Sequence, residues 1–145
     1  MKEDCIFCTK KTSHLLIKEY TYWTVYLNIN QSYLGWCEVV LKDHKEDMFD
    51  CTEKELKELF TVVNNLRQVT KQLFSPDMFN YSSLGNQVKH VHLHFIPRYS
   101  SPVTFSDHEF HDDRWGKNYS PYNKDITFDN EVLKKIAGSL TNSLI

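Results

Sequence analysis

The chain has 145 residues, of which 41% are hydrophobic and 14% aromatic, so it has the length and apolar content for one globular domain and no room for a second. A net charge of −2 and the lack of a basic run exclude a protein that grips the nucleic-acid backbone, so the expected partner is a small molecule. No apolar stretch reaches the ~18 residues of a membrane span and no hydrophobic signal region follows the N-terminus, so we expect a cytoplasmic protein without membrane association.

A C-x-x-C motif, Cys5-Ile6-Phe7-Cys8, stands near the N-terminus. Its spacing lets two thiolates hold one zinc ion, and the alternatives are a redox pair and unligated thiols. In a reducing compartment, thiols or metal ligands are favoured over disulfides. Cys37 and Cys51 have no partner at metal-ligand spacing, so we expect both to be structural.

Three strands are predicted between residues 15 and 42. Residues 15–19 and 23–27 alternate well enough for two strands, with a break near Tyr20, which is typical of a hairpin. Gly35 then opens a third strand over residues 36–42.

One long amphipathic helix follows. Thr52-Glu53-Lys54-Glu55 is a capping box, in which the threonine covers a free backbone N–H while the glutamate reaches back. Helical spacing continues to about Phe74, and Ser75-Pro76 stops it. We expect a core element whose apolar positions are Leu56, Leu59, Phe60, Val63, Leu66 and Leu73.

Three histidines alternate with apolar residues in His90-Val91-His92-Leu93-His94-Phe95-Ile96. A fourth strand over residues 79–84 and a tight connection at Gly85-Asn86-Gln87 precede this row, which is predicted to form a strand over residues 89–97. Alternate side chains of a strand share a face, so the three imidazoles point one way and the apolar side chains the other.

Three interpretations of this row are open. The histidines form a polar face exposed to solvent, or they hold a metal ion with further ligands from elsewhere. In the third interpretation, which we favour, one imidazole is a nucleophile and its neighbours position it and bind an anionic substrate. Gly85 then permits close approach of a phosphate, and loop amides with Asn86 and Gln87 donate hydrogen bonds to its oxygens.

The chain from Arg98 onward is rich in aromatic and polar residues and carries no periodicity until a last helix, capped by Asp129 and predicted to about Leu140. We expect solvent to surround His14, His108 and His111. The order of elements predicts an α+β fold: an antiparallel β-meander of about five strands, with one long helix and a shorter C-terminal helix.

The row at residues 90–96 resembles the histidine triad motif, His-φ-His-φ-His-φ-φ with φ apolar. Leu84-Gly85-Asn86 before it and Pro97-Arg98-Tyr99 after it resemble the flanks in diadenosine-polyphosphate hydrolase-like members of the histidine triad family. The resemblance covers roughly residues 5–122 and implies one domain with a core over about residues 5–100. It also implies a homodimer, since relatives join their sheets and helices in two-fold dimers.

Zinc-bearing members of this family complete a C-x-x-C pair with a histidine after the third strand and with the first histidine of the triad. The resemblance therefore implies a closed, structural zinc site in this chain. Its ligands would be Cys5, Cys8, His44 and His90.

The resemblance also implies a nucleotide site. Asn28 matches a family position that hydrogen-bonds a ribose hydroxyl, with an ordinary turn asparagine as the alternative. Asn80 matches a position that contacts the nucleotide, although the intervening loop is shorter here. Apolar positions of the family's base pocket, which plain core positions would explain equally, match Ile6, Leu27 and Ile29. The segment after Arg98 resembles an extension found in a subset of the family. Beside the active site such a segment would select the leaving group, and the alternative is a packed surface loop that stabilises a dimer.

His92 matches the family's nucleophile, which attacks the α-phosphorus of a nucleotide and forms a nucleotidyl-imidazole that water hydrolyses. The resemblance gives His94 the task of offsetting charge and protonating the leaving group, and gives the His90 carbonyl the task of orienting the nucleophile. The implied substrate is a dinucleoside polyphosphate or a nucleoside phosphoramidate. The alternatives are a nucleotide-binding regulatory module with little turnover and a nucleotidyl transferase, but the transferase branch carries glutamine where this chain has His94.

Overall fold

The structure, a computed structural model, describes residues 2–144. Neither α-helix in this part of the chain has the length and apolar character that a membrane crossing requires. A short 3-10 turn at Met48–Asp50 precedes the first helix. The other elements are β1 (Leu15–Glu19), β2 (Trp23–Leu27), β3 (Cys37–Leu41), α1 (Glu53–Phe74), β4 (Met78–Ser82), β5 (His92–Arg98), β6 (Val103–Phe105), β7 (His108–Phe110) and α2 (Asn130–Ser143).

Five strands form one antiparallel sheet in the order β1-β2-β3-β5-β4. This confirms the predicted α+β fold with five antiparallel strands, one long helix and a shorter C-terminal helix. The strand order departs from a plain meander in one respect, because β5 inserts between β3 and β4. The 22-residue α1 extends about 33 Å, which lets the chain reach the far edge of the sheet before it returns through β5.

The two faces of β3 have different neighbours. Glu38 and Val40 pair in register with His94 and His92 on one face. The alternate side chains join the main hydrophobic core beneath α1 and α2, and these are Cys37, Val39 and Leu41. The helices therefore cover one face of the sheet and leave the histidine face free for a site.

Helix α1 begins and ends where the sequence indicates. Thr52 Oγ1 accepts a hydrogen bond from Glu55 N–H, and the Glu55 carboxylate accepts one from Thr52 N–H. Ser75 ends the helix in the left-handed region, with φ of 53°. Phe60, expected in the core, is instead 76% exposed, since it stands about 100° around the helix from the buried Leu59.

The histidine row begins before its strand. His90 and Val91 were predicted within the strand, but β5 begins at His92. Val91 pairs instead with the chain that follows β3: its N–H donates to the Lys45 carbonyl, and its carbonyl accepts from Leu41 N–H. This pairing places the His90 ring beside His44, with ring centroids 4.9 Å apart.

The chain after Arg98 contains a hairpin, β6-β7, that its lack of periodicity did not reveal. The turn residues Ser106 and Asp107 have φ of 52° and 60°, a left-handed pair formed without glycine. Phe105 packs edge-on against Phe74 at the end of α1, with ring centroids 5.2 Å apart. The final helix is confirmed, with Asp129 as its N-cap.

Candidate functional site

A cavity of about 360 Å³ lies on the sheet face that carries the histidines. Glu38 of β3 and His92 and His94 of β5 line it. Three further parts of the chain form most of its other walls: the N-terminal segment at Ile6 and Phe7, the loop 84–88, and the C-terminal extension over residues 119–124. His14 and Asn28, which flank β1 and β2, complete the lining. The fold thus gathers segments that are distant in sequence around two histidines.

His92 presents one ring nitrogen to this cavity. Its Nδ1–H donates to the backbone carbonyl of His90, with 2.6 Å between the nitrogen and the oxygen. A carbonyl only accepts, so this bond assigns the proton to Nδ1 and leaves a lone pair on Nε2 of the neutral ring. Phe7 packs against the imidazole, with ring centroids 5.3 Å apart. Nε2 is therefore the nitrogen available to a bound electrophile.

His94 has two different neighbours at its Nδ1 atom. The indole Nε1–H of Trp36 donates to Nδ1 at 3.3 Å, and Glu38 Oε1 lies 3.5 Å from the same atom. Burial lowers the pKa of His94 below its ordinary value, although the Glu38 carboxylate opposes this effect. The neutral ring accepts from Trp36 and carries its proton on Nε2.

A buried carboxylate that the sequence analysis did not single out belongs to this cavity. Glu38 is 5% exposed, and its Oε2 lies 2.8 Å from His14 Nε2. His14 Nδ1 accepts from the backbone N–H of Ile29 at 3.2 Å, so the neutral His14 ring carries its proton on Nε2, the nitrogen that lies beside the Glu38 carboxylate. Burial raises the pKa of Glu38, but the His14 hydrogen bond and the nearby imidazoles outweigh burial and hold that pKa below its ordinary value.

The expectation that His14 faces solvent is therefore wrong, while His108 and His111 are exposed as expected. The sheet register explains the error. Leu27 of β2 pairs with Leu15 of β1 on one side and with Cys37 of β3 on the other. Residue 14 precedes Leu15 and residue 38 follows Cys37, so this pairing brings the two together. The sequence held one signal: a glutamate within an otherwise apolar strand, which needs a buried partner.

The predicted nucleotide-binding residues divide into two groups. Leu27 is fully buried in the main core, and Ile29 is partly exposed and contacts His14 through its backbone. Asn80 on β4 accepts a hydrogen bond from Arg98 Nη1 at 2.7 Å and lines a separate cavity. The residues that do line the histidine cavity are Ile6, Asn28, Asn86 and Gln87.

Arg98, at the end of β5, fixes the C-terminal extension against the sheet. Its guanidinium forms a bidentate pair with Asp112, with N···O distances of 2.7 and 3.1 Å. It also donates to the backbone carbonyls of Arg114 and Lys117. The extension then reaches the cavity wall, where it contributes Tyr119, Ser120, Tyr122 and Lys124. One wall of the site thus depends on this arginine.

Replacing Arg98 by methionine is expected to lower the free energy of unfolding by about 3–5 kcal/mol, because the fully buried Asp112 carboxylate loses its charged partner. Urea denaturation measures the change. The matched control is Arg67→Met, which removes an arginine that lies over the Phe79 ring and should cost about 1 kcal/mol or less. Equal losses of unfolding free energy in the two variants would show that the Arg98–Asp112 pair does not stabilise the fold.

A second cluster lies where the N-terminal segment meets the start of the histidine row. It contains Cys5, Cys8, His44 and His90, whose donor atoms all lie within 4.8 Å of one another. Cys8 Sγ is 3.2 Å from His44 Nδ1, and Cys5 Sγ is 3.3 Å from His90 Nδ1. Such separations are typical of ligands held at ~2.0–2.3 Å from one tetrahedral metal ion.

The two imidazoles of this cluster are oriented to bind a cation. His90 Nε2–H donates to the carbonyl of Leu41, which leaves a lone pair on His90 Nδ1. That atom faces the Nδ1 of His44 at 3.1 Å. Burial lowers the pKa of His90, which disfavours a proton between the two rings. The donor set therefore fits a metal ion.

Glu38, His92 and His94 also place potential ligand atoms within 4.8 Å of one another. Here the neighbours supply hydrogen bonds instead, since Trp36 donates to His94 and His14 lies at hydrogen-bonding distance from Glu38. The indole N–H occupies the Nδ1 lone pair of His94, and the neutral ring then carries its proton on Nε2, so His94 offers no lone pair to a metal ion. We therefore interpret this set as a hydrogen-bonded network within the cavity.

Similarity to known proteins covers most of the chain. The family model described as HIT domain matches residues 9–101. The curated relative named Protein hit, from Bacillus subtilis (strain 168), is 29% identical over 105 residues, which make up 67% of this chain and 72% of that protein. The asymmetrical bis(5'-nucleosyl)-tetraphosphatase of Schizosaccharomyces pombe is 36% identical over 63 residues, 40% of this chain and 35% of that protein. A zinc-bound histidine triad family protein from Mycobacterium smegmatis has a similar solved structure, with a TM-score of 0.66, 17% identity, and coverage of 97% of this chain and 93% of that chain.

Proposed function

Because the chain belongs to the histidine triad (HIT) family, we propose that it is a nucleotide hydrolase acting at the α-phosphate of a dinucleoside polyphosphate or a nucleoside phosphoramidate. The proposal is carried by one observation: His92, fixed by the His90 carbonyl, turns the lone pair of Nε2 to a cavity that it shares with His94. The partial similarity to a tetraphosphatase supports the same class of substrate.

The reaction proceeds in two displacements. In the first, His92 Nε2 attacks the α-phosphorus, an N–P bond forms, and the bond from phosphorus to the leaving oxygen or nitrogen breaks. The ring becomes positively charged, and the His90 carbonyl on Nδ1–H stabilises that charge. In the second, water attacks phosphorus, the N–P bond breaks, and a nucleoside monophosphate leaves.

Hydrogen-bond donors at the wall offset the charge on the α-phosphate. Asn86 and Gln87 supply side-chain amides, and Gly85, with φ of 68°, lets the loop backbone approach a phosphate closely. His94 adds its Nε2–H. Asn28 lines the same cavity, and we assign it to a ribose hydroxyl.

The test is a substrate screen with adenosine 5'-phosphoramidates and diadenosine tetraphosphate, followed by chromatography of the products. The proposal predicts release of AMP from at least one of these substrates, without transfer to another acceptor. Tight nucleotide binding with no product from any of them would favour a binding module, and nucleotidyl transfer to an added acceptor in preference to water would favour a transferase.

Zinc is the ion that we assign to the cluster of Cys5, Cys8, His44 and His90, because two thiolates and two imidazoles are typical of structural zinc. Four protein ligands leave no open position, so the ion would tie the N-terminal segment to the start of the histidine row. Ile6 and Phe7 lie between the two cysteines and line the cavity, so this tie also shapes the site. The zinc-bound relative supports the assignment.

A homodimer is the assembly that we propose. Strand β4 lies at an edge of the sheet, and beside it an apolar groove of about 530 Å³ runs along α1. A two-fold related copy would cover the edge and the groove together. The groove is lined mainly by apolar side chains, among them Met48, Leu56, Phe60, Val63, Tyr81 and Leu93.

Replacing the exposed Phe60 by glutamate is expected to convert the dimer to a monomer, because it places a charge in the centre of this apolar interface. Sedimentation velocity measures the result. Leu16→Glu is the control, since Leu16 is an exposed leucine on β1, the opposite edge of the sheet, and its variant should remain a dimer. Monomeric wild-type protein at micromolar concentration would contradict the assignment.

A further inference from the structure

Two chemically opposite groups flank the Nδ1 atom of His94. Trp36 stands directly before β3, and its indole nitrogen lies 3.3 Å from Nδ1. Glu38, two residues later in the same strand, lies directly across from His94 in the sheet and places Oε1 3.5 Å from Nδ1. An indole N–H only donates and a carboxylate only accepts, so each of these groups suits a different protonation state of the ring.

Both states of His94 therefore have a partner at Nδ1. When the ring is neutral with its proton on Nε2, Nδ1 accepts from the Trp36 indole. When Nδ1 is protonated, the Nδ1–H faces the carboxylate of Glu38. Nδ1 of His94 therefore has a partner of the matching kind in either state, which lowers the cost of a change of protonation.

The carboxylate is itself held in place. His14, from the segment before β1, lies 2.8 Å from Glu38, and the backbone N–H of Ile29 fixes its tautomer. The other titratable groups near His94 are His92 on its own strand and Tyr119 from the C-terminal extension, whose rings lie 5.1 and 6.3 Å away by centroid. Glu38 is the acidic group of the described residues that lowers the cost of a positive charge on His94.

We propose that Trp36 and Glu38 are a pair of positioning residues that set the protonation state of His94: Trp36 holds the resting neutral ring with its proton on Nε2, and Glu38 holds the Nδ1 proton while the ring acts through Nε2 as the acid of the first step and the base of the second. This rests on the proposed function. In the first step the His94 imidazolium gives its Nε2 proton to the leaving oxygen or nitrogen as the bond from that atom to phosphorus breaks, and the ring keeps the Nδ1 proton toward Glu38. In the second step His94 Nε2 takes the proton of the attacking water as the phosphorus–His92 bond breaks, which restores the imidazolium.

A titration followed by ¹⁵N NMR of the histidine rings tests the pair without any substrate. Glu38→Gln removes the negative charge that stabilises the protonated ring and should lower the pKa of His94 by about 1, whereas Trp36→Phe removes the donor to the neutral ring and should raise that pKa by about 0.5. The control is Glu19→Gln, which neutralises an exposed acid on β1 and should leave the pKa of His94 unchanged. Shifts of the same sign in both variants, or no shift in either, would overturn the proposal.

The dependence of rate on the leaving group gives a second readout. Assistance by an acid matters most for a poor leaving group, so Glu38→Gln should slow hydrolysis of an adenosine phosphoramidate with an aliphatic amine about 10-fold or more, and that of a 4-nitrophenyl ester of AMP by about twofold or less. Equal slowing of both substrates would contradict the proposal. A wild-type protein that hydrolyses neither would refute the hydrolase, while the opposite pKa shifts would still decide the roles of Trp36 and Glu38.

Discussion

Replacing His92 by alanine is expected to reduce kcat for nucleotide hydrolysis by ~10³-fold or more, while the affinity for nucleotide stays within about threefold of the wild-type value. The variant loses the Nε2 lone pair that the His90 carbonyl orients, but it keeps the loop amides and Asn28 at the cavity wall. Steady-state kinetics give kcat, and calorimetric titration with AMP gives the affinity.

The control for this variant is His111→Ala, which removes an exposed histidine that pairs with Glu109 in the extension, away from the cavity. Its kcat should equal that of the wild type. Hydrolysis by His92→Ala above about one part in a hundred of the wild-type rate would defeat the assignment of His92 as nucleophile, since direct attack by water would then account for the turnover.

The double variant Cys5→Ser/Cys8→Ser is expected to lose its metal and to melt at least ~10 °C below the wild type. Two of the four ligands disappear, and the facing imidazoles of His44 and His90 are left without the cation that their geometry fits. Elemental analysis should find about one zinc per chain in wild-type protein and none in the variant. Calorimetry gives both melting temperatures.

Cys51→Ser is the matched control for the zinc site, because Cys51 is a half-buried thiol outside the cluster. This variant should retain the full metal content. Wild-type protein that was never exposed to a chelator and yet contains no zinc would contradict the assignment, as would a double variant that keeps its metal.

Features written in local sequence were predicted well. The Thr52 capping box, the stop at Ser75-Pro76 and the Asp129 cap each act within one helical turn, so the helix bounds follow from neighbouring residues. The four candidate metal ligands are brought together in the structure as the resemblance implied, and so are the histidine row and the loop at Asn86 and Gln87. These positions could be predicted because the histidine triad motif has a fixed spacing that is visible in the sequence.

The features that were missed depend on contacts between distant segments. His14 and Glu38 meet because two strands pair with β2, and no periodicity in either segment reveals that contact. Asn80 accepts a hydrogen bond from Arg98, the residue that also holds the C-terminal extension, because β4 pairs with the end of β5. The β6-β7 hairpin escaped notice since its left-handed turn is built from Ser106 and Asp107 rather than from asparagine and glycine.

The central claim is a covalent bond between His92 and the α-phosphorus, and mass spectrometry of the protein during turnover tests it most directly. Quenching in alkaline denaturant, where an N–P bond survives, should reveal a mass increase equal to a nucleoside monophosphate less one water, and peptide mapping should place it on His92. The mass increase should be absent from the His92→Ala variant. Rapid turnover with no adduct under these conditions, or an adduct on another residue, would contradict the account.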